Sequence, residues 1–162
     1  MEGGSKMANQ VEEYLTEKGI PFTVHELPVE QADGTAVLAE EPVDHDKIFK
    51  TLVMKGNKTG VVIAVVPLDA RLDYKKAAKA TGNRKIGLPP MEFVLEHTGY
   101  EHGANTPIGI RLNHPDYLLV FDESIQDYDK VIVSSGELGK AVELAASDLV
   151  ELLHPEIENL LK

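Results

Sequence analysis

The chain has 162 residues, of which 43% are hydrophobic and 27% charged, a composition typical of one folded globular domain. It contains no cysteine, which excludes disulfides, thiolate metal sites and a cysteine nucleophile. The 16 lysine and arginine residues face 27 aspartates and glutamates, and the formal net charge of −11 argues against non-specific binding of nucleic acids, DNA included.

The apolar runs of the chain are too short to cross a membrane. The longest, residues 61–68, has the length of a strand, whereas a transmembrane helix needs about 20 apolar residues. Residues 1–6 contain glycine and serine and lack the apolar core of a signal peptide. We therefore expect an appended leader at 1–6, one domain over residues 7–162, no membrane partner and a cytoplasmic location.

The N-terminal half predicts a helix at its start and a β-hairpin at its end. Apolar residues recur at helical spacing before Gly19 and Pro21, and apolar, β-branched stretches flank a turn at residues 56–60. The predicted elements are a helix over 9–18, a strand over 22–27, a loop carrying Asp33 and Gly34, a short helix over 35–41, and hairpin strands over 48–55 and 60–66.

The C-terminal half alternates short strands with helices. Gly82 and Gly99 each follow a helical stretch and are predicted to end it, and Ser147 is a predicted N-cap. The predicted elements are helices over 72–81 and 90–98, a closing helix through Leu153, and strands over 85–88, 108–112, 117–122, 130–134 and 141–144. This irregular order indicates an α+β fold with a closed or strongly curved sheet.

Basic residues are unevenly distributed along the chain. Five of them fall within eleven positions, namely Lys75, Lys76, Lys79, Arg84 and Lys85. A local basic face of this kind can meet RNA on an otherwise acidic molecule. The alternative is an ordinary solvated helix face.

The common metal, cofactor and nucleophile motifs are missing. None of the six histidines has the spacing of a zinc-hydrolase helix, so we predict ordinary surface histidines and no metal site. Gly99, Gly103 and Gly109 lack the dinucleotide-binding spacing, which predicts no nucleotide cofactor. The Ser134-Ser135-Gly136 turn lacks the flanking glycines of a nucleophile elbow.

Two features remain as candidates for a functional site. Lys50 lies inside an otherwise apolar strand, where a buried cation needs a partner or a cavity; the alternative is a side chain on the solvent face. The loop from Gly103 to Pro107 permits close backbone approach, and its N–H groups suit an oxyanion hole; the alternative is a plain turn.

Three separated segments carry a family resemblance. The first is Phe49-Lys50-Thr51-Leu52, the second is Thr98-Gly99-Tyr100 followed by residues 103–109, and the third is Val133-Ser134-Ser135-Gly136 with the stretch through Leu149. Supporting stretches are residues 19–22 with His25 and residues 72–82. In this order, over residues 11–153, the segments resemble the YbaK/ProX/EbsC family of aminoacyl-tRNA deacylases.

The resemblance implies a mixed, strongly curved, barrel-like sheet surrounded by helices. It implies a deacylase that hydrolyses the ester of a small mischarged amino acid, of the Cys or Ala class, on tRNA(Pro), with aminoacyl-tRNA and prolyl-tRNA synthetase as partners and no cofactor. The alternative is a non-catalytic binding module of the same fold that recognises an aminoacyl end or another small ligand.

The resemblance also implies roles for particular residues. The catalytic positions are Lys50, Gly103 and Ala104, and the substrate-binding positions are Tyr100, Asn105, Thr106, Pro107, Ser135 and Gly136. Ala104, Thr106 and Leu27 depart from the family's usual residues, and these positions bear on which amino acid the pocket accepts.

Overall fold

The computed structural model describes residues 9–26, 29–30, 36–37, 44–101 and 104–162. Its helices are α1 (Gln10–Glu17), α2 (Tyr74–Thr81), α3 (Met91–Thr98), α4 (Pro107–Asn113) and α5 (Ala146–Leu153), with 3₁₀ turns at His45–Lys47 and Glu123–Asp127. Its strands are β1 (Phe22–Glu26), β2 (Val29–Glu30), β3 (Ala36–Val37), β4 (Phe49–Gly56), β5 (Gly60–Pro67), β6 (Ile86–Gly87), β7 (Leu118–Asp122), β8 (Lys130–Ser134), β9 (Lys140–Ala145) and β10 (Glu156–Glu158).

The described strands form three sheets. A five-stranded sheet has the order β10-β7-β5-β4-β6, a three-stranded sheet has the order β1-β9-β8, and β2 pairs with β3. The large sheet is mixed, because β5–β7 and β7–β10 are parallel whereas β4–β5 and β4–β6 are antiparallel. A bridge between Ile48 and Ile132 connects the two larger sheets. The fold is therefore mixed α+β, while the barrel-like curvature stays a prediction.

The central strand β5 is buried on both faces, which explains its continuous apolar run. Ile63 and Val65 belong to a main core shared with β7 to β9 and with helices α1, α4 and α5. Val62, Ala64 and Val66 alternate with them and pack on the opposite face against α2. The large sheet thus separates two apolar layers.

The structure confirms most of the predicted helices and strands. The hairpin strands pair from Phe49–Pro67 to Gly56–Gly60. Helix α2 begins after Asp73, whose carboxylate accepts from the Lys75 and Lys76 N–H groups, and it ends at Gly82 in the left-handed conformation with φ 78°. These local signals suffice because cap and turn residues act through their nearest neighbours.

Three predictions are wrong. The predicted strand 108–112 lies in helix α4, where Thr106 is the N-cap and Pro107 occupies the first turn. Ala36–Val37, part of the predicted helix 35–41, is strand β3. Ser147 does not cap α5, because Ala145 is the N-cap residue and no side chain caps that helix.

Several predictions concern residues outside the described ranges. These are the leader at residues 1–6, Leu27, the loop with Asp33 and Gly34, the remainder of the predicted helix 35–41, and Gly103. Within the described ranges, no helix combines the length and the apolar character that a membrane span requires.

Candidate functional site

A cavity of about 450 Å³ lies along the open edge of β4. It forms there because β6 pairs only with Lys55 and Gly56 at the far end of that strand. Most of its wall is apolar. The apolar part is formed by Ile48, Phe49, Leu52, Val53, Leu68, Leu88, Pro89, Met91 and Val94. Its polar lining consists of Lys50, Thr51, Asn105 and Ser134. An apolar pocket with a few convergent polar groups is the usual form of a small-ligand site.

Lys50 brings a positive charge to the wall of this cavity. Its Nζ donates to the Ala70 carbonyl at 3.1 Å, and the side chain is half-buried. Among the described residues, the ion pairs involve other cations and do not include Lys50. Because the partner found within the described residues is a neutral carbonyl, the other donor positions of the Lys50 Nζ are available to a ligand.

Asn105 supplies a second polar group to the same cavity. The residue is 8% exposed, and its Oδ1 has no hydrogen-bond partner among the described residues. The Thr51 hydroxyl, also on the cavity wall, is unpartnered in the same part of the structure. A buried polar atom left without a partner costs about 1–3 kcal/mol. Both atoms are therefore placed to bind a ligand that enters the cavity.

Tyr100, Thr106 and Gly136 form a packed unit outside the cavity lining. The Tyr100 ring contacts Gly136, where a Cβ would lie 3.0 Å from Cε1, and its hydroxyl occupies the space that a Cβ on Gly109 would need. Burial raises the pKa of the Tyr100 phenol, and a hydrogen bond with Asn113 offsets part of this effect. Tyr100 therefore stays neutral and holds the loop before α4 against the turn after β8.

The remaining predicted site residues within the described ranges are engaged in structural contacts. The buried Ala104 donates its N–H to the Glu101 carbonyl at 2.9 Å. The Ser135 hydroxyl accepts from Asn9 Nδ2 at 3.2 Å, and the buried Pro107 lies in the first turn of α4.

The structure thus brings Lys50 and Asn105 together at one cavity, whereas the other predicted site residues that it describes do not line this cavity. Thr51 and Ser134 were not predicted as site residues, although both lie in the quoted motifs. Their neighbours in sequence, Lys50 and Ser135, were the predicted ones. No clear signal in the sequence pointed to these two residues. The strand edge beside which they lie can be recognised only when the pairing of β4 and β6 is known.

Comparison with known proteins identifies the family of this chain. A family model described as an aminoacyl-tRNA editing domain matches residues 29–152. The chain belongs to this family. The predicted resemblance to aminoacyl-tRNA editing proteins is therefore confirmed.

Two relatives and one solved structure illustrate the similarity of this editing-domain protein. EbsC of Enterococcus faecalis, named as a candidate Cys-tRNA(Pro)/Cys-tRNA(Cys) deacylase, is 43% identical over 110 residues, which are 68% of this chain and 65% of EbsC. YwhH of Bacillus subtilis is 32% identical over 130 residues, 80% of this chain and 77% of YwhH.

The solved structure is described as a candidate trans-editing enzyme for prolyl-tRNA synthetase. It has a TM-score of 0.75 and 23% identity, and the match covers 96% of this chain and 99% of that one. This likeness supports the mixed α+β fold.

Proposed function

We propose that this protein is an aminoacyl-tRNA deacylase. It hydrolyses the ester between a small mischarged amino acid, of the Cys or Ala class, and the terminal ribose of tRNA(Pro). The reaction takes place in the cytoplasm and needs no cofactor. The protein acts as one domain over residues 7–162 with a barrel-like sheet. Family membership and the activity named for EbsC support this proposal. The observation that carries it is the single cavity that gathers Lys50 and Asn105.

The cavity suits a small aminoacyl group at the end of a larger molecule. Its apolar wall accommodates a short side chain, and its open side at the edge of β4 leaves the ribose and the rest of the tRNA outside. A pocket separates amino acids that differ by one methylene only weakly, by about 1–3 kcal/mol, so a second hydrolytic site raises accuracy. A cavity of limited volume admits only small amino acids, so that only tRNA carrying a small, wrong amino acid is hydrolysed.

Lys50 and Asn105 orient the substrate in this proposal. The Lys50 ammonium contacts the terminal nucleotide or the aminoacyl carbonyl, where negative charge develops during hydrolysis. The unpartnered Oδ1 of Asn105 accepts a hydrogen bond from the α-ammonium group of the amino acid. Correct orientation of the ester by these two groups supplies much of the rate.

The loop before α4 completes the site. Gly103 and the backbone that follows it orient the ester carbonyl. The Ala104 N–H already donates to Glu101, so Ala104 acts by fixing the course of the loop. Tyr100, Thr106, Pro107 and Gly136 act as positioning residues for substrate binding, because they pack against or cap that loop. Ser135 acts from the turn after β8, where Asn9 binds its hydroxyl.

The reaction requires no covalent protein intermediate. A water molecule attacks the ester carbonyl, either directly or after activation by a neighbouring hydroxyl group of the substrate, and the developing oxyanion is stabilised by the donors described above. The bond to the ribose oxygen then breaks, the ribose oxygen takes a proton, and the free amino acid leaves with its carboxyl group restored. The tRNA is released uncharged.

Prolyl-tRNA synthetase is the proposed docking partner. The net charge of −11 limits intrinsic affinity for tRNA, and the structural relative is named for that synthetase. At limiting enzyme, added synthetase accelerates deacylation if it delivers the substrate. An unchanged rate would contradict this part of the proposal.

The decisive test is release of labelled amino acid from a panel of mischarged tRNAs, including Cys-, Ala- and Ser-tRNA(Pro). We expect selective release by the wild type and its loss in Lys50→Ala. Lys130→Ala, an exposed lysine on β8, is the matched control and keeps full activity. Absence of release across the whole panel would instead indicate the non-catalytic binding module.

A further inference from the structure

The charges of this acidic protein are separated along the chain. Residues 47–90 contain ten of the 16 basic residues and two of the 27 acidic ones, a net charge of +8, whereas the rest of the chain carries −19. This segment spans β4, β5, α2 and β6. The segment that supplies most of the cavity lining is therefore the basic part of the chain.

Four exposed cations meet at one end of this segment. They are Lys55 and Lys58 at the hairpin tip and Arg84 and Lys85 before β6, and we call this group the basic edge. Their backbones are tied together, because Asn57 Oδ1 accepts from the Arg84 and Lys85 N–H groups, each at 2.9 Å. The fold thus holds the two backbone segments that carry these four side chains next to each other.

The charges of the basic edge are available to a partner. In the part of the chain that the structure describes, ion pairs are formed by His25, His45, Lys47 and Lys140, and not by the basic edge. A groove of about 340 Å³ runs between Lys55 and Lys85. A concave, unneutralised basic surface attracts a chain of negative charges.

The basic edge also stands in a fixed relation to the cavity. Strand β4 runs from Lys50 on the cavity wall to Lys55 on the edge, a separation of about 17 Å for five residues of strand. On the other side, β6 leads directly into Leu88 and Pro89, which line the cavity.

We propose that the basic edge binds the phosphate backbone of the tRNA acceptor stem while the aminoacylated 3′ end occupies the cavity. This inference rests on the proposed function, which makes aminoacyl-tRNA the ligand. RNA fits better than an acidic protein, because lysine and arginine contacts to phosphates dominate nucleic-acid binding. Protein interfaces depend instead on buried aromatic anchors, and all four side chains here are exposed cations.

The test compares two double variants with the same change in charge. The test variant, Lys58→Glu/Arg84→Glu, alters the basic edge. The control variant, Lys18→Glu/Lys130→Glu, alters one exposed lysine at the C-terminal end of α1 and another on β8. Each is assayed for the Kd of uncharged tRNA(Pro) at several salt concentrations. Each is also assayed for KM and kcat with aminoacyl-tRNA and with an aminoacyl ester of a short CCA oligonucleotide that lacks the stem.

The edge variant should weaken tRNA binding by roughly tenfold and lower the salt slope by about 1 for each lost contact. It should raise KM for aminoacyl-tRNA with little change in kcat, and it should leave hydrolysis of the short ester unchanged. The control variant should change Kd and KM by less than about twofold, because screening limits the effect of distant charges. Matching far-UV spectra exclude misfolding.

Other outcomes would overturn the inference. Equal weakening by both variants would show a general field effect, and intact tRNA binding with loss of synthetase-stimulated activity would show an acidic protein partner. If the wild type hydrolyses no mischarged tRNA, the proposed function fails. The Kd comparison with uncharged tRNA then still decides whether the basic edge binds RNA.

Discussion

Two buried asparagines of this protein are in opposite hydrogen-bonding states. Asn83 is 7% exposed and Asn105 is 8% exposed. The Asn83 Oδ1 accepts from the Lys58 and Thr59 N–H groups, and its Nδ2 donates to the Thr59 and Thr81 hydroxyls. The Asn105 Oδ1 has no partner among the described residues.

The difference supports a structural role for Asn83 and the proposed substrate-binding role of Asn105. Folded proteins pair nearly all buried polar atoms, so a paired carboxamide is accounted for by the fold alone. An unpaired one at a cavity wall keeps a cost that only a ligand or water relieves. Asn83 therefore holds the hairpin tip to the segment after α2, whereas the role of Asn105 in the cavity is the one proposed above.

The largest expected effect is on stability at Asn83. Asn83→Ala removes four hydrogen bonds and leaves two backbone N–H groups to partial solvation, which should destabilise the protein by about 3 kcal/mol. Urea unfolding of the variant checks this value. A loss below about 1 kcal/mol would show that water replaces the carboxamide at the hairpin tip.

Gly56→Ala tests the same contact from the other side. A Cβ at Gly56 would overlap the Asn83 carboxamide, which cannot move away because its hydrogen bonds clamp it. We expect a destabilisation of about 2 kcal/mol from overpacking, read from the midpoint of urea unfolding. In the Asn83→Ala background the cost of Gly56→Ala should largely disappear, and strict additivity of the two losses would contradict the clash.

Asn105→Ala should give the opposite pattern. Removing an unpartnered acceptor changes stability by less than about 1 kcal/mol, while deacylation should fall by about tenfold to a hundredfold, since a charge-assisted hydrogen bond to the substrate is lost. Steady-state kinetics and urea unfolding of the same preparation measure both. Full activity with lowered stability would assign Asn105 to the fold.

The smallest expected effect is a loss of folding stability at acid pH, at a cluster of polar side chains that are paired through opposite charges. Glu143 on β9 binds His25 at 2.7 Å and Lys47 at 3.4 Å. Burial alone would raise the pKa of the Glu143 carboxyl, but hydrogen bonds from His25 and Lys47 and their charge hold it below its usual value. The carboxylate therefore stabilises the fold above about pH 4.3, its unfolded-state value, and this contribution is lost as the pH falls through the folded pKa.

Glu143→Gln provides the comparison for this prediction. Between pH 6 and pH 3 the wild type should lose more stability than the variant, because only the wild type carries a carboxyl whose folded pKa is lowered. Glu137→Gln, at a more exposed carboxylate that pairs with Lys140, is the control and should follow the wild type. Parallel pH profiles of wild type and Glu143→Gln would show that the cluster contributes nothing.

The errors of sequence interpretation fall where packing outweighs local pattern. Ile108 and Ile110 form an apolar, β-branched run that favours a strand. The Thr106–Pro107 cap and burial in the main core make it helix α4 instead. Strand β10 (Glu156–Glu158) was not predicted at all, because three residues with two acidic side chains carry no strand pattern until β7 pairs with them.

The amino-acid sequence by itself determined the local elements and the family. Asn9, Asp73, Gly82 and the hairpin turn act on their immediate neighbours, so their effect is readable without a structure, and the ordered motifs around Lys50 and Asn105 identified the editing domain. Among the described residues, only the tertiary structure decided that β6 covers just one end of β4, that the Asn83 Oδ1 is paired and the Asn105 Oδ1 is not, and that the hairpin tip joins the segment carrying Arg84 and Lys85. Each of these depends on contacts between residues far apart in the chain, which strand register and packing create and which no local pattern records.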